Sequence, residues 1–273
     1  MFRTNSRSKD SKLYTVLILG CIIGFWVFEN FYTPASYSTK EGEGLRTTIP
    51  SIYLPSSTTG VLVDHNHFLL SYNEPFEQAE WVAYILKKEH LTQDDRKRPY
   101  FIEDPKIKTK SADWRNYRGS GYDRGHLCPA GDRRFSEQAY NETFYTSNIS
   151  PQDRDFNAGI WNRLEMQVRQ WSKRYGEVFV ATGGVLEDGL MEIGEEDVDV
   201  PKAYYKIVAR SDAENLKVIA FLMSAEETNA PLEKFVVSID EIEQRTQIDF
   251  FQHLEDNKEE RLEKEVKLKD WKF

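Results

Sequence analysis

The chain has 273 residues, 40% of them hydrophobic and 13% aromatic, enough for one well-packed domain with appendages. Its formal net charge of -9, from 36 basic and 45 acidic residues, excludes polyanion binding through overall charge. The two cysteines, Cys21 and Cys128, do not define a redox compartment, and the apolar surroundings of Cys21 argue against a bridge between them.

Residues 1–12 carry Arg3, Arg7, Lys9 and Lys12 against Asp10, and residues 13–28 are uncharged and mainly apolar. Extended through residue 32, this segment reads as a membrane anchor. Its basic side lies inside, which puts the rest of the chain outside the cytoplasm, periplasmic or extracellular. A cleaved signal peptide, with secretion, is the rival reading. Residues 33–54 read as a Ser-, Thr-, Gly- and Pro-rich tether, 55–256 as the folded domain and 257–273 as a charged tail with an exposed helix.

Within the domain, 61–63 and 68–72 read as strands around a turn that puts His65 and His67 on the surface. Residues 77–86 predict a helix with Ala79, Val82, Ala83 and Leu86 on one face. Lys106, Lys108 and Lys110 alternate as on a surface strand. Residues 122–127 read as a strand, 136–140 as a short helix and 144–147 as a second strand. A helix begins near Ala158, with Trp161, Leu164, Val168, Trp171 and Tyr175 at core-facing spacing. Strands at 178–182, 203–208 and 218–223 follow, with a solvated acidic loop at 187–199 and a helix at 238–244.

The chemistry gathers around Asp123-Arg124-Gly125-His126, with Asn148, Asn157 and Glu165 downstream. A histidine takes a proton from water, and an arginine grips phosphate in a planar fork. An amide oxygen with water and a carboxylate nearby suits a hard cation such as Mg2+, which stabilises a phosphate under attack. Asn157 and Glu165 are eight residues apart, about 80° around a helix, and lean to one side. Each residue also has a plainer reading: His126 in the core, Arg124 paired with Asp123 or Asp132, Asn148 capping a turn, Asn157 as a helix N-cap. Residues 96–134 hold 11 Lys/Arg and 5 Asp/Glu, a local +6 that leaves -15 for the remainder.

The run Tyr117-Arg118-Gly119-Ser120-Gly121-Tyr122-Asp123-Arg124-Gly125-His126 resembles the signature of the DNA/RNA non-specific endonucleases, the ββα-metal nucleases. The likeness continues through residues 144–152 and 157–165, with later pieces at 181–184, 201–206 and 239–243. It implies an α+β fold with a mainly antiparallel sheet flanked by helices, cleavage of DNA and RNA with one Mg2+ or Mn2+, and a homodimer. It also implies residue roles: His126 as base, Arg124 on a phosphate oxygen, Asn157 as metal ligand, Glu165 on a water of the metal, and Asn148 holding the metal site or His126. The family's additional arginine is replaced here by Ile102, with Arg98 or Arg118 as the substitute that binds substrate. Two other classes are a phosphodiesterase for another substrate, against which the basic stretch argues, and a non-catalytic nucleic-acid-binding module, which Ile102 alone supports.

Overall fold

The computed structural model describes residues 6–32, 34, 36–37, 48–212 and 215–273. Met1–Pro34 and Ala35–Phe273 form two compact units. The first holds helix α1 (Ser6–Phe31), whose stretch Ser11–Phe28 has a mean hydropathy of 1.8 and is long and apolar enough to cross a membrane.

The second unit opens with strands β1 (Leu62–Asp64), β2 (Leu69–Asn73) and β3 (Gln78–Lys87), then β4 (Asp123–His126), helix α2 (Glu137–Glu142) and β5 (Ile149–Gln152). A long helical segment comes next: α3 (Arg154–Phe156), a π-helical turn (Asn157–Trp161) and α4 (Asn162–Tyr175). Strands β6 (Glu177–Gly184), β7 (Met191–Ile193), β8 (Val198–Val200), β9 (Ala203–Asp212), β10 (Asn215–Ser224) and β11 (Val236–Val237) precede helices α5 (Ile239–Thr246) and α6 (Asp256–Lys264). Every pairing between these strands is antiparallel. Seven form one sheet in the order β1-β2-β3-β6-β9-β10-β11, while β4–β5 and β7–β8 are separate pairs. The fold is α+β, as expected.

Strand β3 corrects the helix expected at 77–86. Val82, Tyr84 and Leu86 pack into the core that holds Trp161, Leu164 and Trp171, while Trp81, Ala83 and Ile85 pack on the opposite side with Ile242 and Phe250. Both faces of the sheet are covered, so the strand is apolar throughout, and such a run carries no period that distinguishes it from a helix. The expected strand at 144–147 is instead a turn, and the strand itself starts at Ile149. Lys106–Lys110 are turns, not a strand face, with Lys110 at φ 81° and Ile107 buried between them. The acidic loop at 187–199 is also ordered, because Ile193, Val198 and Val200 bury the β7–β8 pair against Phe101, Tyr117 and Phe144.

His65 and His67 are buried, not on the surface. His65 Nε2 lies 2.8 Å from Asp104 Oδ2, which also accepts from Ser147 Oγ at 2.5 Å. The tether expected to run to residue 54 ends earlier: Tyr53 stacks on Phe179 at 4.9 Å, while residues 38–47 lie outside the described residues. The tail does form an exposed helix, α6, but Trp271 beyond it is only 3% exposed and packs on Trp171, 4.7 Å between centroids. Trp171 Nε1 donates to Lys272 O at 2.8 Å. The last residues thus brace α4.

Two predictions follow from this packing. Trp271→Ala should lower unfolding free energy by about 3 kcal/mol at an unchanged denaturant slope, read from urea titration; a loss indistinguishable from zero would mean the tail is not docked. The second concerns pH. Burial, and then Arg133, push the pKa of His67 down to about 4 and that of His90 to about 3, from 6.5. The unfolded chain therefore binds more protons than the folded one between these values and 6.5, and the two histidines make stability fall as pH drops through that window. The double variant His67→Asn/His90→Asn should have a shallower loss from pH 6.5 to 4 by urea titration, and an unaltered slope would exonerate the histidines.

Candidate active site

Strands β4 and β5 pair with Asp123 opposite Gln152, Gly125 opposite Ser150 and His126 opposite Ile149. The pair closes because Gly125 lacks a side chain: any Cβ there would collide with the buried Gln152 side chain. Asn148, 0% exposed, locks the end of the pair. Its Oδ1 accepts from Cys128 N at 2.8 Å, and its Nδ2 donates to Cys128 O at 3.0 Å and Thr143 O at 2.9 Å. Of the two roles expected of Asn148, holding the metal site or holding His126, this geometry bears on the second. The amide is fully engaged with main chain and reaches no reacting group; it fixes the two residues that follow His126.

His126 sits edge-on to Phe144 at 4.9 Å and tilted to Phe101 at 5.6 Å. Its Nε2 is sealed and without a partner, which leaves Nδ1 as the ring nitrogen open to the cleft. Burial, then repulsion from Arg98 and Arg124, push its pKa down to about 3, so the ring is neutral at neutral pH. Arg124 lies over Phe101 at 4.8 Å and Trp114 at 5.7 Å; Arg98 lies over Phe101 at 5.3 Å and Phe144 at 5.7 Å. Among the described residues, neither guanidinium has a hydrogen-bonded partner. Asp123 and Asp132, the alternatives for Arg124, are engaged elsewhere. Two open forks beside a neutral histidine are groups of the kind that take phosphate oxygens.

The chain then turns into α3, capped by Asp153, whose Oδ1 accepts from Asp155 N at 2.9 Å and Phe156 N at 3.0 Å. Asn157 is therefore not the helix N-cap. Its Nδ2 donates to Asp123 Oδ2 at 3.3 Å, which ties the helical segment to β4 and leaves the amide oxygen open. Glu165 lies in the first turn of α4, its side chain 14% exposed. Burial raises its pKa to about 7 against the pull of Arg169 and Lys206. Arg169 bridges Glu165 at 3.3 Å and Asp132 at 2.5 Å, and Tyr84 Oη donates to Asp132 at 3.2 Å. An open amide oxygen and a half-shielded carboxylate are oxygen donors of the kind a hard divalent cation takes, with its remaining positions left to water.

Arg118 is not brought into this cluster. It is exposed and lines a groove of about 710 Å³ with Glu192 of β7 and Glu195 and Glu196 of the β7–β8 turn. Ile102, in the place of the family arginine, is 1% exposed and bridged to Tyr145, where a guanidinium would find no water. Arg98 brings its charge to the aromatic pair beside His126. Sequence reading missed Phe101 as the platform under both arginines. It also missed Lys206, fully buried, which donates to Thr182 Oγ1 at 3.0 Å and lies over Trp161 at 4.6 Å. Only its place in the 201–206 motif marked it.

The human mitochondrial nuclease EXOG is 36% identical over 79% of this chain. Human mitochondrial endonuclease G is 34% identical over 67%, and the mitochondrial nuclease of Saccharomyces cerevisiae 32% over 75%. The chain spans 63% of the length of human EXOG, 66% of human endonuclease G and 70% of the yeast protein. A solved EndoG/EndoGI complex superposes with a TM-score of 0.66 at 31% identity, covering 71% of this chain and 86% of that one. Relatives named for mitochondria overturn the expected extracytoplasmic, membrane-anchored placement. The family model for DNA/RNA non-specific endonucleases matches residues 46–257. With that match laid over the β4–β5 pair and the helical segment tied to it, this chain belongs to the DNA/RNA non-specific endonuclease family.

Proposed function

We propose that this chain is an endonuclease that hydrolyses phosphodiester bonds in DNA and RNA with little sequence preference. The observation that carries the reading is the Asn157–Asp123 hydrogen bond, which sets an open amide oxygen beside the strand that bears His126 and Arg124. Arg124 and Arg98 bind phosphate oxygens by their unpartnered forks. His126 Nδ1 takes the proton of the attacking water. Its low affinity for protons in the free protein comes partly from those two arginines. A bound phosphate offsets their charge, so the base strengthens when the substrate is in place. Asp123 holds the Asn157 amide in orientation. Asn157 Oδ1 would hold Mg2+ or Mn2+, with Glu165 behind it on the water shell. When bound, such a cation supplies positive charge beside the phosphate and the departing 3'-oxygen.

The N-terminal segment fits a mitochondrial address. Residues 1–12 are basic and serine-rich, with Asp10 the only acid, and an apolar helix follows.

The purified protein should nick plasmid and degrade RNA with Mg2+ and do neither with EDTA; activity that persists in EDTA would remove the cation from the reading. His126→Ala should slow cleavage by about 10²–10⁴-fold while circular dichroism and nucleic-acid affinity stay near wild type. A variant that cuts at the wild-type rate would show that another group is the base. Because Asp153 is the helix cap, Asn157→Ser should lower the melting temperature only slightly, through loss of the bond to Asp123, and raise the Mg2+ needed for half-maximal cleavage by more than about tenfold. Full activity at every Mg2+ concentration would sink Asn157 as the ligand.

A further inference from the structure

The helical segment that carries Asn157 is irregular at one point. From Asn157 to Trp161 it widens into a π turn, and Gly159 takes φ -95°, ψ -111°, outside helical values. Such turns recur at functional sites, and they disturb the main-chain ladder around them. Here an acceptor arrives from a distant loop. Ile160 N–H donates to Glu227 Oε2 at 2.6 Å, 67 residues away in sequence. The carboxylate occupies the space that Gly159 leaves by having no side chain; a Cβ there would collide with it. The same loop is gripped again one turn later. Arg163 donates to Thr228 O and, at 3.3 Å, to Ala230 O, while Ala230 N–H donates to Thr228 Oγ1 at 3.2 Å. Residues 227–230 therefore clasp the segment within its widened turn and just after it.

We propose that Glu227 is a positioning residue for the cation ligand: it holds the π turn open and so sets the direction of the Asn157 amide oxygen. This rests on the reading of Asn157 as that ligand. Gly159 leaves helical values, so the segment kinks between Asn157 and α4. Relaxation to a regular helix would remove the kink and reorient Asn157 relative to α4, away from Asp123. A carboxylate accepting from a main-chain N–H makes a charge-assisted bond, a strong brace against such relaxation.

The test uses Mn2+ titration calorimetry on the full chain without nucleic acid, beside amide hydrogen exchange at Ile160. Glu227→Ala should weaken Mn2+ binding about tenfold and speed exchange at Ile160. Gly159→Ala, whose methyl group displaces the carboxylate, should act in the same direction. Glu227→Gln keeps an acceptor oxygen and should retain most of the affinity and the protection. Unchanged Mn2+ affinity in Glu227→Ala, or a Gln variant as weak as the Ala variant, would overturn the proposal. Asn157→Ala is the control that separates the two ideas. If it leaves Mn2+ affinity intact, the ligand reading fails and takes the proposal with it. If it weakens binding while Glu227→Ala does not, the positioning role alone fails.

Discussion

A single buried amide governs where the chemistry occurs. Asn148 makes three hydrogen bonds to main-chain groups of Cys128 and Thr143, and a fourth bond joins Leu127 N to Asn148 O at 2.9 Å. With no water able to replace them, each group left unpaired would cost about 1–3 kcal/mol. The exit of β4 is thereby tied to the entry of β5, and His126, at the last position of β4, has its backbone fixed. From this knot the rest is placed in turn. Gly125 allows the strands to close over Gln152, Asp123 reaches the helical segment, and the segment brings Asn157 and Glu165 to the same region.

The electrostatics run against the protein's overall sign. The chain is acidic, yet beside His126 Arg98 and Arg124 have no carboxylate partner among the described residues and stack on aromatic rings instead. Aromatic support holds a guanidinium in place without neutralising it. The acids nearby are committed elsewhere: Asp123 to Asn157, Asp132 to Arg169, Asp104 to His65. The two forks are consequently the open positive groups next to the base, and a phosphate meets little local competition for them.

Much of this was legible in the residues, for physical reasons that differ by element. The Asp-Arg-Gly-His strand announced itself by its polar, chemistry-bearing residues, and the helix through Trp161, Leu164, Val168 and Trp171 by its apolar face. Strand β3 did not, since a strand covered on both faces loses its alternation and Ala79, Val82, Ala83 and Leu86 happen to match a helical period. His65 looked exposed because its neighbours in sequence are polar, while the groups that bury and bond it, Asp104 and Ser147, come from loops far along the chain. Asn157 looked like a cap because the true cap, Asp153, lies four residues earlier, before a widened turn that no local pattern encodes. Glu227 belongs to the same class, as its partner lies 67 residues back.

Among the described residues the main sheet has seven strands and ends in three residues at β1 and two at β11. Main-chain donors and acceptors left open at a sheet edge are a template for another chain, and their number grows with the length of the edge strand. Here the template is almost absent. Two copies meeting edge to edge would gain only a few main-chain hydrogen bonds, too few to extend the sheet from molecule to molecule. The fold therefore carries its own resistance to fibrillar aggregation, and any specific association between copies has to be encoded in side chains.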